Sequence, residues 1–531
     1  MRNLRVLLCL GVLAGLAACQ QSTAPPAAVP VVAEPEPGFS VIEADIDQIQ
    51  QALQNGTLSS RELVQAYLDR IAAIDVAGPS LHAVIELNPD ALGEADQRDA
   101  ERRQNHLRGP LHGIAVLLKD NIDATPMINS AGSLALADNR PPDDAFVVAR
   151  LRAAGAVILG KTNLSEWANF RSTHSASGWS ARGGQTRNPY VLDRSPCGSS
   201  AGTGTAIAAS LASVGIGTET DGSVICPSAV NGLVGIKPTV GLVSRDGIIP
   251  ISASQDTAGA MARNVTDAAV LLGAMAGSDP ADPATAAADQ RGSSDYRAHL
   301  KPDALRGARI GVVRASMGFH PAVDAVMEQA IAQLRAAGAQ VLDATIPTQG
   351  QWDDPEFSVL LYEFKDGMAR YLAGSNVAHK SLADLIAFNS AHADVEMPWF
   401  GQEIFTMAEG KGPLSDAAYV KARDDARRLA GAEGIDAALA AQQLDALLAP
   451  ATGPAWPVDP VNGDHFLGAG YGAAAVAGYP SITVPAGAVH GLPVGVVFLG
   501  PAWSEGRLIE LAYGYEQASH ARKPPAYRPT L

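Results

Sequence analysis

The sequence predicts one large α/β domain in which a mixed β-sheet is covered by helices on both faces. Three observations carry that expectation. Short apolar runs of strand length alternate with stretches of helical periodicity along most of the chain. Hydrophobic residues make up 47% and charged residues 18%, which are globular proportions. A chain of 531 residues is long enough to bury a large core. The formal charge of −16 excludes nucleic acid as a partner, because no basic face could neutralise phosphates.

The N-terminus is read as lying outside the fold. Residues 1–18 have the form of a signal peptide, with Arg2 and Arg5 ahead of the apolar run Val6–Leu16. Leu16-Ala17-Ala18-Cys19 resembles a lipobox, which makes Cys19 the expected lipidation site. Gln20 stands where an inner-membrane retention signal would place Asp, so the expected location is the cell envelope, lipid-anchored in the outer membrane and facing the periplasm. Residues 19–39, rich in Pro and Ala, read as a tether, and 40–531 as the folded domain. Membrane contact is expected through this anchor alone, and the sequence does not set an oligomeric state.

Within 40–531, Ile46–Asn55 is an amphipathic helix stopped by Gly56. Ser59 and Glu62 form a capping box that opens a helix running to about Asp75. Gly113–Leu118 is an apolar strand, Ala145–Ala154 a helix and Ala156–Leu159 a buried strand. Thr205–Val214 reads as a helix of small residues. Ala308–Val313, Pro321–Ala337 and Gln340–Val341 form a strand–helix–strand unit. Ser278–Arg306 reads as a surface connection and Gln351–Ala441 as helix-rich. Pro480–Pro485 and Leu492–Leu499 are the final strands, followed by the helix Glu505–Ala518. Of the four cysteines, Cys197 and Cys226 belong to the domain; a disulfide between them is permitted, but two buried free thiols are the preferred expectation.

Three motifs compete for chemistry. Gly155–Thr162 fits the P-loop pattern, yet Ala156–Leu159 is apolar and better suited to a strand than to a phosphate cradle. Gly198-Ser199-Ser200-Ala201-Gly202 fits GxSxG and would make Ser200 an esterase-type nucleophile, with His465 and His490 downstream. The segment before it, Gln185–Pro196, is polar and broken by prolines, where that elbow needs a buried strand. Third, the apolar run from Gly113 ends in Lys119, one of only nine lysines. Burial would lower its pKa and make it a general base. Pairing with Asp120 or Asp123 is the plainer alternative.

The segments Leu118–Asn121, Gly160–Trp167, Gly198-Ser199-Ser200, Gly217–Ser223, Gly235–Thr239 and Gly491–Gly495, in this order, resemble the amidase signature family, with the likeness covering about Ile42 to Ala518. The resemblance implies that family's fold and a Ser–cis-Ser–Lys triad, with Ser223 as nucleophile, Ser199 as the cis-linked relay and Lys119 as base. It implies an oxyanion hole from the backbone N–H groups of Thr220, Asp221, Gly222 and Ser223, and no metal or cofactor.

Two positions depart from the common family pattern: Asp221 stands where many members have Gly, and Ile225 where many have Arg. Asp tolerates positive φ, and its carboxylate would repel anionic substrates or read a polar group. TETDGS, with Arg182–Pro189 and Ser195–Ser200, resembles the bacterial peptide amidases, which release ammonia from C-terminal carboxamides. The expected substrate is a small-molecule or peptide amide. Another amide or aryl-amide hydrolase of the family, an amidotransferase component, and an esterase using Ser200 are the alternatives. Arg171–Trp179, part of Gln351–Ala441 and Asp464–Tyr471 are expected to shape the substrate site.

Overall fold

Eleven strands form one mixed sheet: β1 (Val84–Leu87), β2 (Ala115–Lys119), β3 (Val157–Thr162), β4 (Val214–Glu219), β5 (Val234–Lys237), β6 (Thr257–Ala262), β7 (Arg309–Val313), β8 (Gln340–Ala344), β9 (Ala446–Pro450), β10 (Ser481–Val489) and β11 (Leu492–Leu499). Their order across the sheet is β1-β3-β2-β4-β6-β5-β10-β11-β9-β7-β8. The structure is a computed structural model, and it describes residues 39–531. The leader 1–18, Cys19 and all but the last residue of the tether lie outside the described residues.

β2 runs parallel to both β3 and β4, and β7 parallel to β8 and β9, while the remaining neighbours are antiparallel. Strands β2 to β6 are buried along their whole length, as sheet strands covered on both faces must be. Helices flank the sheet as one α/β domain. Among the described residues no helix is long and apolar enough to cross a membrane.

Local chemistry explains several boundaries. Ile46–Asn55 opens on the Asp45–Gln48 capping box and closes on Gly56. The Ser59–Glu62 capping box starts the next α-helix, which ends at Arg70 and continues as a π-helical turn over Ile71–Val76. The helix expected at Thr205–Val214 is displaced. It spans Ala201–Ala208, Ser210 turns to φ 54°, and Val214 already belongs to β4. Runs of Ala, Gly and Thr lack the apolar periodicity that would fix their ends. β3 extends beyond Leu159 to Thr162, so the apparent P-loop is strand.

A second apolar cluster is separate from the main core. Leu360, Phe364, Met368 and Leu372 of the helix Asp353–Gly374 pack with Phe405, and with Trp167, Phe170, Ile249 and Ile251 from loops. The free-thiol expectation for Cys197 and Cys226 is corrected: the two are joined, with Cα atoms 6.0 Å apart. The turn that carries Ser223 leads directly into the helix Ile225–Val230, which brings Cys226 back to the segment preceding Ser199. Closing a loop of this size removes enough freedom from the unfolded chain to stabilise the fold by about 3.6 kcal/mol. The Cys197→Ser/Cys226→Ser double variant should therefore unfold at lower urea concentration, with an m-value raised by its less compact unfolded chain, and an unshifted midpoint would show the link to be without thermodynamic effect.

Candidate active site

Lys119 is the last residue of β2 and is completely buried. Its Nζ lies 2.7 Å from Ser199 Oγ, 2.9 Å from Thr218 Oγ1 and 3.1 Å from Thr218 O. As an ammonium it donates to all three oxygens. As a neutral amine its two hydrogens suit Thr218, and its lone pair is left to accept from the Ser199 hydroxyl. Asn121 Nδ2 also donates to Thr218 Oγ1, at 2.9 Å. Burial pulls the lysine pKa down to about 7, against the upward effect of Asp256 and Glu219. Asp120 does not pair with it: that carboxylate lies 3.4 Å from Lys161 and 3.2 Å from Arg182. Asp123 instead accepts from Asn129 and Tyr371.

The Gly198–Ser199 peptide bond is cis. A Cβ at Gly198 would collide with Ser165 Oγ, so only glycine allows this approach. Ser165 N–H donates to Ser199 O at 3.1 Å, and Ser200 N–H to Ser223 O at 3.2 Å. The second contact brings the Ser223 turn against the Ser199 segment. Ser200 Oγ donates to Thr218 O at 3.1 Å and accepts from Thr218 N–H at 3.2 Å. That hydroxyl is fully buried and tied to β4, while His465 and His490 are exposed.

The turn 220–223 follows β4. Among the described residues the N–H groups of Thr220, Asp221, Gly222 and Ser223 have no protein acceptor. The next two, Val224 and Ile225, donate to Glu219 Oε2 at 2.8 and 2.9 Å. Gly222 has φ 78°, and a Cβ there would strike the Tyr471 ring. Asp256 accepts from Thr220 Oγ1 at 2.6 Å and from the N–H groups of Ile251 and Ser252. Gln255 Nε2 lies 3.3 Å from Thr220 O and 2.8 Å from Glu356 Oε1. Asp221 is exposed to a cavity beside this turn, where desolvation and nearby Glu356 and Glu219 push it well above the usual carboxylate range.

That cavity, of about 300 Å³, is bordered by Ser223, Phe170, Trp456, Asp464, Phe466 and Tyr471. All three segments expected to shape the substrate site contribute, through Ser177, Leu360 and the loop from Asp464. Arg171 does not: it is fully buried, beside Glu166 and Glu396 and stacked on Phe400. A second cavity, of about 440 Å³, reaches Ser199, Thr218 and Asn121. Ala168, Thr220 and Ile251 border both. Ala168 sits in a turn in which Trp167, Ala168 and Asn169 all take left-handed φ values, of 50°, 54° and 69°. Sequence reading missed this turn, Trp456 and the Gln255–Asp256 pair; the aromatic Trp456 between two prolines was the one available signal.

The family model for amidases matches residues 62–509. A probable amidase of Arabidopsis thaliana is 42% identical over 92% of each chain. The crystal structure of peptide amidase from Stenotrophomonas maltophilia is 61% identical, with TM-score 0.89 over 91% of this chain and 99% of its own. A putative amidase of Schizosaccharomyces pombe is 36% identical, over 91% of this chain and 87% of its own. This chain belongs to the amidase family. It is an enzyme of the class that hydrolyses amide C–N bonds, and its fold is close to that of peptide amidases. The lipid-anchored, outer-membrane location expected from the leader is corrected by these findings. The match to a peptide amidase takes in nearly that whole chain, and no described helix is long and apolar enough to cross a membrane.

Two consequences follow from the buried lysine. Asp256 favours the charged form of Lys119, so Asp256→Asn should move its titration below about 7, read from the lysine 13Cε shift by NMR; an unchanged or raised value would rule out that coupling. Between about pH 7 and the ordinary lysine range the unfolded chain carries a proton that Lys119 has lost in the fold. This residue alone therefore makes stability rise with pH across that window.

Proposed function

We propose that this enzyme hydrolyses the C-terminal carboxamide of peptides, releasing ammonia, by acyl transfer through Ser223, Ser199 and Lys119. The observation that carries the reading is the fully buried Lys119 amine, lowered to about 7 and 2.7 Å from the hydroxyl of Ser199. A lysine neutral near pH 7 takes the Ser199 proton, and Ser199 takes that of Ser223. Ser223 Oγ bonds to the amide carbon, and charge develops on the carbonyl oxygen. The free N–H groups of Thr220, Asp221, Gly222 and Ser223 are the donors available to it. The C–N bond breaks as the nitrogen takes a proton from Ser199. Water then attacks the acyl-enzyme by the reverse relay, and the carboxylate product leaves.

The peptide preference draws support from the 61% identity to peptide amidase and from the aromatic walls of the Ser223 cavity. Phe170, Trp456, Phe466 and Tyr471 offer apolar faces to a residue preceding the carboxamide. Asp221 and Asp464 are the acidic residues bordering this cavity. Burial and its acidic neighbours push Asp221 toward the neutral form, in which it can donate to, as well as accept from, a polar group of the substrate. Ser200 has its hydroxyl engaged by β4, which weighs against the esterase alternative.

A fluorophosphonate probe should label the wild type and Ser200→Ala but not Ser223→Ala; labelling that follows Ser200 would restore the esterase reading. Ammonia release should be far faster from peptide amides than from simple aryl or fatty amides. Lys119→Ala should lose about 10³-fold or more in kcat/KM. In the wild type kcat/KM should rise with pH to a plateau above about 7, as the lysine loses its proton.

A further inference from the structure

The relay has two ends, and each opens into a different space. Ser223 borders the smaller, aromatic cavity, whereas Ser199 borders the larger one together with Thr218 and Asn121, the residues bonded around Lys119. In the proposed reaction the departing nitrogen takes its proton from Ser199, so the amine leaves on the side that Ser199 faces. Ammonia occupies about 30 Å³, the share of a water molecule, whereas this cavity holds about 440 Å³. The volume exceeds the needs of ammonia more than tenfold and leaves room for a substituent on the nitrogen.

The charges around this cavity are unevenly matched. Arg245 is neutralised by a bidentate pair with Asp282, at 2.6 and 2.8 Å. Arg370 pairs with Asp366. Asp256 is held by Thr220, Ile251 and Ser252. Asp246, exposed on the rim, accepts no hydrogen bond to its carboxylate from any described residue. Partial burial, and then the nearby carboxylates of Asp279 and Asp282, push its pKa upward, and the acidic neighbours make the local field favourable to a cation.

We propose that the larger cavity is an amine-side subsite, through which the enzyme also hydrolyses amides whose nitrogen carries a substituent, with preference for a cationic one held by Asp246. The inference rests on the assignment of Ser199 as the proton relay. In the step, Ser223 Oγ bonds to the carbonyl carbon, the C–N bond breaks, and the nitrogen takes the Ser199 proton. The substituted amine departs through this cavity. Water, entering by the same side, then releases the acid and returns a proton to Ser199.

The test uses the intact enzyme and one acyl peptide with three nitrogen ends: the primary amide, the n-propyl amide and the 2-aminoethyl amide. The aminoethyl amide should be cleaved with kcat/KM within about tenfold of the primary amide and at least fivefold above the propyl amide. Asp246→Lys should reverse the preference between the two substituted amides. Ala281→Trp, placed on the exposed cavity border, should lower both at least tenfold relative to the primary amide. Cleavage of the primary amide alone would overturn the subsite and leave the carboxamide reading intact. Substituted amides cleaved with ratios unmoved by either variant would overturn it as well. If none of the three is cleaved, the carboxamide reading falls and the subsite falls with it.

Discussion

The burial of one amino group organises the rest of this molecule. Lys119 ends an interior strand with no solvent contact, and a pKa lowered from 10.5 to about 7 corresponds to roughly 5 kcal/mol against its charged form. A protein can hold such a group only where polar partners are fixed, because an amine left without them would cost more than the strand gains from its apolar residues. Thr218 supplies two of those partners from the neighbouring strand, with Asn121 holding its hydroxyl. The third position falls to Ser199. The register of β2 against β4 therefore sets the alignment of the reactive groups as well as the packing of the sheet.

Around this centre, the structure removes competitors. Lys161 and Arg182 engage Asp120, so the acid next to Lys119 in sequence does not hold it charged. Glu219 takes up the N–H groups of Val224 and Ile225, which divides the turn into two donors occupied by the protein and four left open. Asp256 and Gln255 fix Thr220 at the entrance of that turn. The disulfide closes the circuit: it joins the segment before Ser199 to the helix after Ser223, so both serines lie on a loop tied at its base.

The architecture was legible where residues repeat with a clear period and hidden where they do not. The amphipathic run ended by Gly56, the capping box at Ser59, and the apolar runs of β2 and β11 carry local signals strong enough to place them. β4, β5 and β6 consist of Gly, Ala and Thr as much as of Val and Ile, and such strands are specified by their neighbours across the sheet. At the site, Lys119 stood out because lysines are rare and this one ends an apolar run. The serines could be ranked only through the family resemblance, since spacing alone favoured Ser200. The pairing of Cys197 with Cys226 depends on how a helix folds back, which the residues between them do not announce. Asp246 and Asp256 gave no local sign of facing the same cavity, because the loops that bring them there are set by tertiary contacts.

Trp167, Ala168 and Asn169 form three consecutive residues of left-handed backbone, and the middle one borders both cavities. Each such residue costs roughly 1 kcal/mol or more relative to glycine in the same geometry, so the wall of the site holds its shape against its own local preference. This separates rigidity from stability at a single place in the chain. Replacing Ala168 by glycine relieves the local conformational cost, yet it gives this wall freedom to move. An engineer seeking a more durable enzyme would thus find at this turn a substitution that exchanges a sharply defined boundary between the two cavities for a more permissive one.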